Sequence, residues 1–369
     1  MKNQIAVLFL TMILIGSCKT STKSIIQKES KAKNIILLIG DGMGLAQLSA
    51  SYYYLDQASN FSRFKHIGLH QNIPIGAKIT DSASGATAFS TGYKSYNAAI
   101  GVDKDTIARK TILEWAAEKG KKTGVIATSS ITHATPASFY AHVANRNSHE
   151  AIADDFLEAP IDFAAGGGFQ FFAERTDKKD LINALTKKGY VVGTKGFAKR
   201  HDSQKKHAYF LAPDGLDSKV NGRDDFLPKS THLAIDYLSE HKDGFFLMVE
   251  GSQIDWGGHS NETDFLIQEV LDFDLAVGKA MDFAEKDGNT LVIVTADHET
   301  GGFALSSAKV FGKDNYEGIQ PTFSTGGHTA SLIPVLAYGP GAERFMGVYQ
   351  NNDIFQKMMD SYLGSGIKN

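Results

Sequence analysis

The 369-residue chain is 42% hydrophobic and 21% charged, with a formal net charge of −3. This length allows a large buried core, as one big domain or as two ordinary ones. The small negative charge argues against a nucleic-acid-binding surface, which requires an excess of basic side chains. It does not exclude phosphate binding at a metal site, because a bound cation sets the charge of its own surroundings.

The first segment is typical of an export signal, since an apolar run from Ile5 to Ile15 is too short to span a membrane comfortably. The run ends in Ile-Gly-Ser-Cys, which resembles a bacterial lipobox, and Cys18 is the only cysteine, so no intramolecular disulfide can form. We predict a lipoprotein signal peptide over residues 1–17 and a Ser/Lys-rich tether over 18–33. The protein is then exported and anchored on the periplasmic side, by preference at the outer membrane. An ordinary signal peptide with a chance cysteine is the alternative.

Short apolar runs without polar alternation predict strands that are buried on both faces of a sheet. Such runs are IILLI (35–39), VIA (125–127), FFLMV (245–249) and LVIV (291–294). Apolar residues at helical spacing between Leu266 and Met281 separate the last two runs. This alternation predicts an α/β fold with a central, largely parallel sheet flanked by helices on both faces. We expect a single catalytic domain over 34–365, with the Lys/Asp-rich segment 173–225 as a less regular excursion.

Charged residues follow three of these predicted strands. Asp41 comes after the first strand, Glu250 after FFLMV, and Asp297-His298 after LVIVTA. In open α/β sheets, ligands bind at the carboxyl ends of the strands. One charged residue there is most simply the start of a solvated loop, whereas three such ends together point to a site.

Carboxylates and imidazoles in close pairs indicate metal ligands, because both suit Zn²⁺ while Mg²⁺ prefers oxygen. Asp255 and His259 stand four residues apart, so one helical turn could direct both at a single ion. Asp297-His298 form a second pair, and glycines precede His328 in STGGHTAS. Together with Asp41, these residues predict more than one metal ion. The remaining candidates are interpreted as structural or surface histidines: His66, His149, His201, His207 and His241.

Ser82, in TDSASGATAFSTG, stands at the predicted start of a buried helix. A serine hydroxyl must be activated by a base or a metal ion before it acts as a nucleophile. Free N–H groups and the helix dipole favour an anion at such a position. These features fit phosphoryl transfer by the Ser82 alkoxide between two metal ions. The neighbouring hydroxyls are interpreted as packing or capping groups: Thr80, Ser84, Thr87, Ser90 and Thr91.

Six segments together resemble the alkaline phosphatase family, in order and over nearly the whole chain beyond the tether. They are NIILLIGDGMG, TDSASGATAFSTG, ITHATPASFYAHVANR, FFLMVEGSQIDWGGH, LVIVTADHETGG and FSTGGHTASLIPVLAYGPGA. The resemblance implies a three-layer sandwich and a hydrolase that releases phosphate from phosphomonoesters through a phosphoserine. It also implies a broad substrate range, an alkaline optimum, and two Zn²⁺ and one Mg²⁺ per active site.

The resemblance assigns roles to individual residues. Ser82 matches the nucleophile, Asp81 orients its surroundings, and Arg146 matches the arginine whose planar fork holds two phosphate oxygens. The remaining matches are metal ligands: Asp255, His259 and His328 for the first zinc; Asp41, Asp297, His298 and the Ser82 oxygen for the second; Asp41, Thr135 and Glu250 for magnesium.

Two positions depart from the best-known enterobacterial type, which has aspartate in place of His133 and lysine in place of Trp256. The His/Trp combination resembles a bacterial subgroup that includes cold-active members. Trp256 removes a positive charge near the phosphate and would hold the product less tightly, or it is simply an aromatic residue that packs at the cleft. His133 either binds the third ion or lies behind a water molecule, and zinc is an alternative there because imidazole suits zinc.

Two other functions remain as alternatives. A phosphodiesterase or sulfatase of the same superfamily would share the two-metal core but usually carries Thr or a modified Cys or Ser as nucleophile. A non-catalytic, lipid-anchored binder of metal or phosphate would be expected to lack Ser82 or Arg146, and both are present. The expected partners are small phosphomonoesters, with no nucleic acid and with a membrane only through Cys18. The family resemblance implies a homodimer, although the shortage of large surface insertions also fits a monomer.

Overall fold

The computed structural model of the chain describes residues 31–198 and 202–363. The predicted signal peptide, most of the predicted tether and His201 lie outside these ranges. Within them, every helix is too short or too polar to cross a membrane.

The named strands of the described ranges form one large sheet and two small two-stranded sheets. In chain order they are β1 (Asn34–Gly40), β2 (His66–Gln71), β3 (Lys122–Ser130), β4 (Phe163–Gly167), β5 (Tyr190–Gly193), β6 (Lys206–Phe210), β7 (Phe245–Gly251), β8 (Thr290–Thr295), β9 (Glu299–Thr300), β10 (Ala304–Val310), β11 (Lys313–Thr322), β12 (His328–Thr329), β13 (Ile333–Tyr338) and β14 (Gly347–Gln350).

The large sheet has ten strands in the order β14-β2-β13-β8-β1-β7-β3-β4-β6-β5. Only β13 is antiparallel to its neighbours, β2 and β8, and the other pairs are parallel. The four predicted strands correspond to β1, β3, β7 and β8 at the centre of the sheet, which confirms these predictions. Two small antiparallel sheets pair β10 with β11 and β9 with β12.

Helices cover both faces of this sheet. They are α1 (Leu45–Tyr54), α2 (Ser82–Thr91), α3 (Ile112–Glu118), α4 (Ala134–Ala137), α5 (His149–Glu158), α6 (Phe169–Ala173), α7 (Leu181–Lys187), α8 (Phe226–Ser239), α9 (Gln253–Ser260), α10 (Thr263–Asp287) and α11 (Asp353–Leu363). Short 3₁₀ turns lie at Asn60–Arg63, Lys219–Asn221 and Ala342–Phe345.

Two separate apolar cores hold the layers together. Ile35, Leu37 and Ile39 of β1 pack on one face with α2, α3, α5 and α11, while Ile36 and Leu38 pack on the other face with α1, α8 and α10. Since successive strand residues point to opposite faces, a strand with two apolar faces must lie between two helical layers. Each fully buried side chain of this size contributes about 1.5–3 kcal/mol. The predicted three-layer α/β sandwich is therefore confirmed.

The interpretation of segment 173–225 as an excursion from the core was wrong. This segment contains α7, β5 and β6, and the last two strands complete one edge of the large sheet. Their sequences, YVVG and KHAYF, are only four and five residues long, and β5 is half-buried along most of its length. Edge strands this short and mixed in composition lack the continuous apolar run that marks a central strand.

Candidate active site and metal centre

The carboxyl ends of β8, β1 and β7 lie side by side because these strands are parallel neighbours. The residues that follow them therefore meet at one edge of the sheet, where β1 leads to Asp41, β7 ends in Glu250-Gly251 and β8 leads to Asp297. The fold thus brings together three acidic residues that are more than 40 positions apart in sequence.

Helix α2 runs to the same edge and is buried along its whole length. It begins at Ser82, and the preceding Asp81 caps it, since Oδ1 of Asp81 accepts a hydrogen bond from the Ser84 N–H at 3.0 Å. Small side chains let the helix approach closely, because a Cβ atom on Gly85 would lie 3.0 Å from Cβ of Asp297. The other hydroxyls of this segment bond to each other, to the backbone or to nearby polar side chains: Thr80 to Ser84, Ser84 also to Asn97, Thr87 to Ala99 and Ser138, and Ser90 and Thr91 to Thr87.

The Ser82 hydroxyl lies between two of the predicted ligands. Its Oγ is 3.5 Å from Oδ1 of Asp41 and 3.3 Å from Nε2 of His298. The serine is 2% exposed, so a group that reacts with it must enter a confined space at the end of α2. The structure therefore places the predicted nucleophile beside the predicted second metal site.

Asp255, His259 and His328 form the first candidate metal group, with ligand atoms within 4.8 Å of one another. Nδ1 of His259 lies 2.7 Å from the Gly326 carbonyl, and Nδ1 of His328 lies 2.8 Å from the Thr80 carbonyl. Because a carbonyl only accepts, these contacts assign the proton of each neutral ring to Nδ1 and leave the Nε2 lone pair free. The two Nε2 atoms face each other at 3.1 Å, and Oδ1 of Asp255 lies 3.3 Å from that of His259. Convergence of two lone pairs and a carboxylate is the arrangement that a cation stabilises.

Asp41, Asp297 and His298 form the second group, and all three side chains are fully buried. Nε2 of His298 lies 3.4 Å from Oδ1 of Asp41 and 3.3 Å from Oδ2 of Asp297. Here too the ligand atoms of an imidazole and two carboxylates converge on one point, as the sequence predicted.

Thr300 joins the first two groups, and the sequence analysis missed it. Its hydroxyl donates to Oδ1 of Asp255 at 2.5 Å and lies 3.1 Å from Nδ1 of His298. Since the hydroxyl proton is already used, His298 must donate from Nδ1, which leaves its Nε2 lone pair for a metal ion. The available signal was spacing, because Thr300 stands two residues after His298 and so faces the same side of an extended segment.

The third candidate metal group consists of Asp41, His133 and Glu250, whose ligand atoms lie within 4.8 Å of one another. This group places His133 beside two predicted metal ligands. Whether a cation fits this centre can be tested on its buried polar atoms. Among the described residues, several such atoms have no hydrogen-bond partner: Oδ2 of Asp41, Oδ2 of Asp297, Oε1 of Glu250, Oγ1 of Thr135 and Nδ1 of His133. Unpaired buried polar atoms are costly, and their concentration here fits coordination of metal ions.

Burial and crowding determine the protonation of this centre. Burial, reinforced by the charges of Asp297 and the neighbouring acids, raises the pKa of Asp41 well above its usual value. Burial likewise raises the pKa of Asp297 and raises that of Glu250 to about 7. Burial lowers the pKa of His298 and of His133 to about 3. Without a cation the carboxyls therefore tend to hold protons while the imidazoles stay neutral, and a bound cation favours ionised carboxylates.

Arg146 lies at the rim of the centre and is oriented by Asp81. Its Nη1 donates to Oδ2 of Asp81 at 3.1 Å, and its Nη2 lies 3.4 Å from Nε2 of His133. Asp81 is therefore a cap and an orienting partner, and it belongs to none of the three metal groups. The Trp256 ring packs edge-on against His133 at 6.1 Å, and a Cβ atom on Gly215 would lie 2.7 Å from that indole. Trp256 thus packs against His133, which also contacts the predicted phosphate-binding arginine.

The histidines interpreted as structural lie outside the three metal groups wherever the structure describes them. His149 stacks on Phe171 with ring centroids 4.3 Å apart, and its Nδ1 lies 3.0 Å from the Thr132 hydroxyl. His207 contacts the Asp202 carbonyl through Nε2 at 3.0 Å.

The site has a buried serine at a helix N-terminus, and three adjoining groups of metal-ligand residues lie beside it at the strand ends of an α/β sandwich. This arrangement defines the active site of a metal-dependent hydrolase. The alkaline phosphatase family model matches residues 32–322. The chain belongs to the alkaline phosphatase family, and it is a phosphomonoester hydrolase.

Individual relatives agree with this assignment. The chain is 37% identical to alkaline phosphatase 3 of Bacillus subtilis, over 88% of each protein. The alkaline phosphatase of the Antarctic bacterium TAB5 is 50% identical and superposes with a TM-score of 0.89, covering 92% of this chain and 100% of that one. The cold-active alkaline phosphatase of a psychrophilic Shewanella is 29% identical with a TM-score of 0.79, covering 90% of this chain and 100% of that one. The predicted likeness to cold-active bacterial members is therefore confirmed.

Proposed function

We propose that the enzyme works through a phosphoserine formed on Ser82, with a broad substrate range and an alkaline optimum. The observation that carries this proposal is the position of the Ser82 hydroxyl, 3.3 Å from Nε2 of His298 and 3.5 Å from Oδ1 of Asp41, at the N-terminus of α2. A phosphoryl group on this oxygen would meet the free N–H groups of the helix end, which favour an anion. Substrate breadth is expected because the identified contacts are to the phosphoryl group.

We propose two zinc ions and one magnesium ion as cofactors. The groups around His259 and around His298 mix nitrogen and oxygen ligands, as zinc prefers. Asp41, Thr135 and Glu250 would hold magnesium through oxygen. A TAB5 alkaline phosphatase variant with glutamate in place of a histidine has magnesium bound in its M3 site, which supports a third ion. Because the third group also contains a His133 nitrogen, zinc is the alternative there. When bound, the ions supply positive charge that stabilises developing charge on oxygen.

The proposed reaction has two balanced steps. The deprotonated Ser82 oxygen forms a bond to phosphorus while the ester P–O bond breaks, and the alcohol leaves with a proton from solvent. Water then attacks the phosphoserine, releases inorganic phosphate and regenerates the serine. Arg146 holds two phosphate oxygens in its planar fork, and Asp81 fixes the direction of that fork. Loss of the serine proton is favoured at high pH, which is the physical basis of the proposed alkaline optimum.

Replacement of Arg146 by lysine tests the role of the fork. Arg146→Lys is expected to lower kcat/KM for an aryl phosphate by about tenfold or more and to weaken inhibition by phosphate, because an ammonium group cannot bind two oxygens in one plane. Arg109→Lys is the matched control, since Arg109 pairs with Asp103 outside the three metal groups. Equal kinetics for the two variants would contradict the assigned role of Arg146.

A phosphodiesterase or sulfatase activity is the alternative within the superfamily. The guanidinium of Arg146 and the third metal group favour a dianionic phosphoryl group, which a diester lacks. The test is to compare kcat/KM for an aryl phosphate, the matching aryl diester and the aryl sulfate with one preparation. We expect the monoester to be turned over fastest, and faster turnover of the diester or sulfate would contradict the proposal. Tight phosphate binding without any turnover would instead favour a non-catalytic binder.

The cellular proposals rest on the sequence alone, since Cys18 lies outside the described residues. We propose export to the periplasmic side, a lipid anchor on Cys18 at the outer membrane, and a homodimer. Labelling with a radioactive fatty acid should mark the wild-type protein and leave Cys18→Ala unlabelled. The native mass of the protein without its signal peptide tests the dimer.

A further inference from the structure

Glu299 is a buried carboxylate for which the proposed reaction has no use. It lies between His298 and Thr300 in β9 and is 5% exposed. Its Oε1 accepts hydrogen bonds from Nε2 of Gln47 at 2.6 Å and from the Phe303 N–H at 3.0 Å. Its Oε2 accepts one from the Thr329 hydroxyl at 2.5 Å. One carboxylate therefore connects helix α1, the turn after β9, and β12.

Close packing holds this side chain in place. A Cβ atom on Gly44, at the start of α1, would lie only 2.4 Å from Cγ of Glu299. Gln47 uses the same amide group to donate to the Thr300 carbonyl at 2.9 Å. The partners of the Glu299 carboxylate are neutral donors, namely an amide, a backbone N–H and a hydroxyl. Among the described residues, Glu299 forms no ion pair with a basic side chain. Its contacts thus fix geometry, and they do not neutralise a local positive charge.

The connection to β12 bears directly on the first metal group. Strand β12 consists of His328 and Thr329 alone, which pair with Thr300 and Glu299 of β9. A two-residue ladder gives little stability by itself. The side-chain bond from Thr329 to Glu299 adds a second link at the residue next to His328. The Glu299 carboxylate is therefore linked to the residue next to His328, whose ring is also held by the Thr80 carbonyl at Nδ1.

We propose that Glu299 is a positioning residue for the first zinc site, holding His328 against β9 so that its Nε2 faces His259 and Asp255. This inference rests on the proposed zinc-dependent function. Replacing Glu299 by alanine would leave Thr329 without its partner and let β12 shift. Glutamine can keep every contact. Its amide oxygen can accept from Gln47 and Phe303, and its amide group can donate to the Thr329 hydroxyl. That hydroxyl can then direct its proton to Oγ of Ser331, which lies 3.0 Å from Oγ1 of Thr329.

The test is a zinc titration of the metal-free protein against a competing chelator, which resolves the dissociation constants of the separate sites. We expect Glu299→Ala to weaken one zinc site by about tenfold or more and to change the other by less than about threefold, as for residues that orient metal ligands. Thr329→Val should weaken the same site, and Glu299→Gln should stay within about threefold of the wild type. Glu269→Ala is the matched control, because Glu269 is an equally buried carboxylate paired with Arg223, outside the metal groups.

The outcomes separate this inference from the function on which it rests. Zinc binding by the wild type with unchanged constants in Glu299→Ala and Thr329→Val would overturn the positioning role alone. An equal loss at both sites, matched by Glu269→Ala, would also overturn it by showing a general effect on stability. Absence of zinc binding by the wild type would overturn both proposals. If Glu299→Ala does not fold, Thr329→Val decides the question, since it removes one hydroxyl and keeps the volume.

Discussion

Ser82→Ala is expected to lower kcat for an aryl phosphate by at least about a thousandfold. The serine oxygen forms the proposed bond to phosphorus, and the alanine side chain offers no atom in its place. The carboxylate and imidazole ligands of the metal groups and Arg146 remain, so most of the zinc content and phosphate binding should be retained although the second zinc loses the serine oxygen. Loss of turnover with retained metal would therefore locate the defect in the chemical step.

Ser90→Ala is the matched control for this experiment. Ser90 lies on the same helix, is also buried, and its hydroxyl donates to the Thr87 carbonyl one turn earlier. We expect its kcat to stay within about threefold of the wild type, as is usual for a hydroxyl away from the reacting atoms. Full activity in Ser82→Ala would contradict the assignment of the nucleophile.

Removal of the metal ions is expected to abolish hydrolysis and to make stability fall as the pH rises through the raised pKa of Glu250, about 7. In the metal-free protein, burial raises the pKa of Glu250 from an ordinary 4.5 to about 7, and that of Asp41 well above its usual value. A carboxyl whose pKa is raised by folding stabilises the folded protein while it is protonated in both states. This contribution is lost as the pH rises from the unfolded pKa through the folded pKa.

The buried imidazoles have the opposite effect on stability, in a pH window that overlaps the lower part of the carboxyl window. Burial lowers the pKa of His298 and His133 from 6.5 to about 3, so folding is opposed as the pH falls below 6.5. Above 6.5 these rings are neutral in both states, while the raised carboxyls of the metal groups still lose protons. We therefore expect the melting temperature of the metal-free protein to fall between about pH 6.5 and 8.

Thermal unfolding with and without chelator checks this prediction. The zinc-loaded protein should show a smaller change over the same pH range, because bound cations favour the ionised carboxylates. Glu250→Gln, which cannot ionise, should reduce the slope in the metal-free state. A metal-free protein that keeps full activity, or whose stability does not change between these pH values, would contradict the metal centre.

The sequence predicted the central part of the fold because the central strands are buried on both faces. Their unbroken apolar runs identify β1, β3, β7 and β8 without knowledge of their partners. The acids and histidines that follow them are prominent for the same reason, since they end these runs abruptly. The edge strands β5 and β6 have no such pattern, and their place in the sheet depends on packing that local sequence does not encode.

The candidate site could be predicted only as far as its ligand residues. Thr300 and Glu299 stand beside His298 in the sequence, yet their importance lies in bonds to Asp255 and Thr329, which only the folded chain brings near. The sequence leaves open whether His133 binds the third ion directly or lies behind a water molecule, and only the folded chain brings it into one metal group with Asp41 and Glu250. Positioning residues are hard to predict from sequence because common side chains such as Glu and Thr form hydrogen bonds at many places in a chain.

The most direct test of the central claim is to quench the enzyme in acid during turnover of an aryl phosphate and to analyse its peptides by mass spectrometry. We predict that the peptide containing Ser82 gains the mass of one phosphoryl group, and that this gain is absent in Ser82→Ala and after chelator treatment. Rapid phosphate release without a phosphorylated peptide, or with the phosphoryl group on another residue, would contradict catalysis through Ser82.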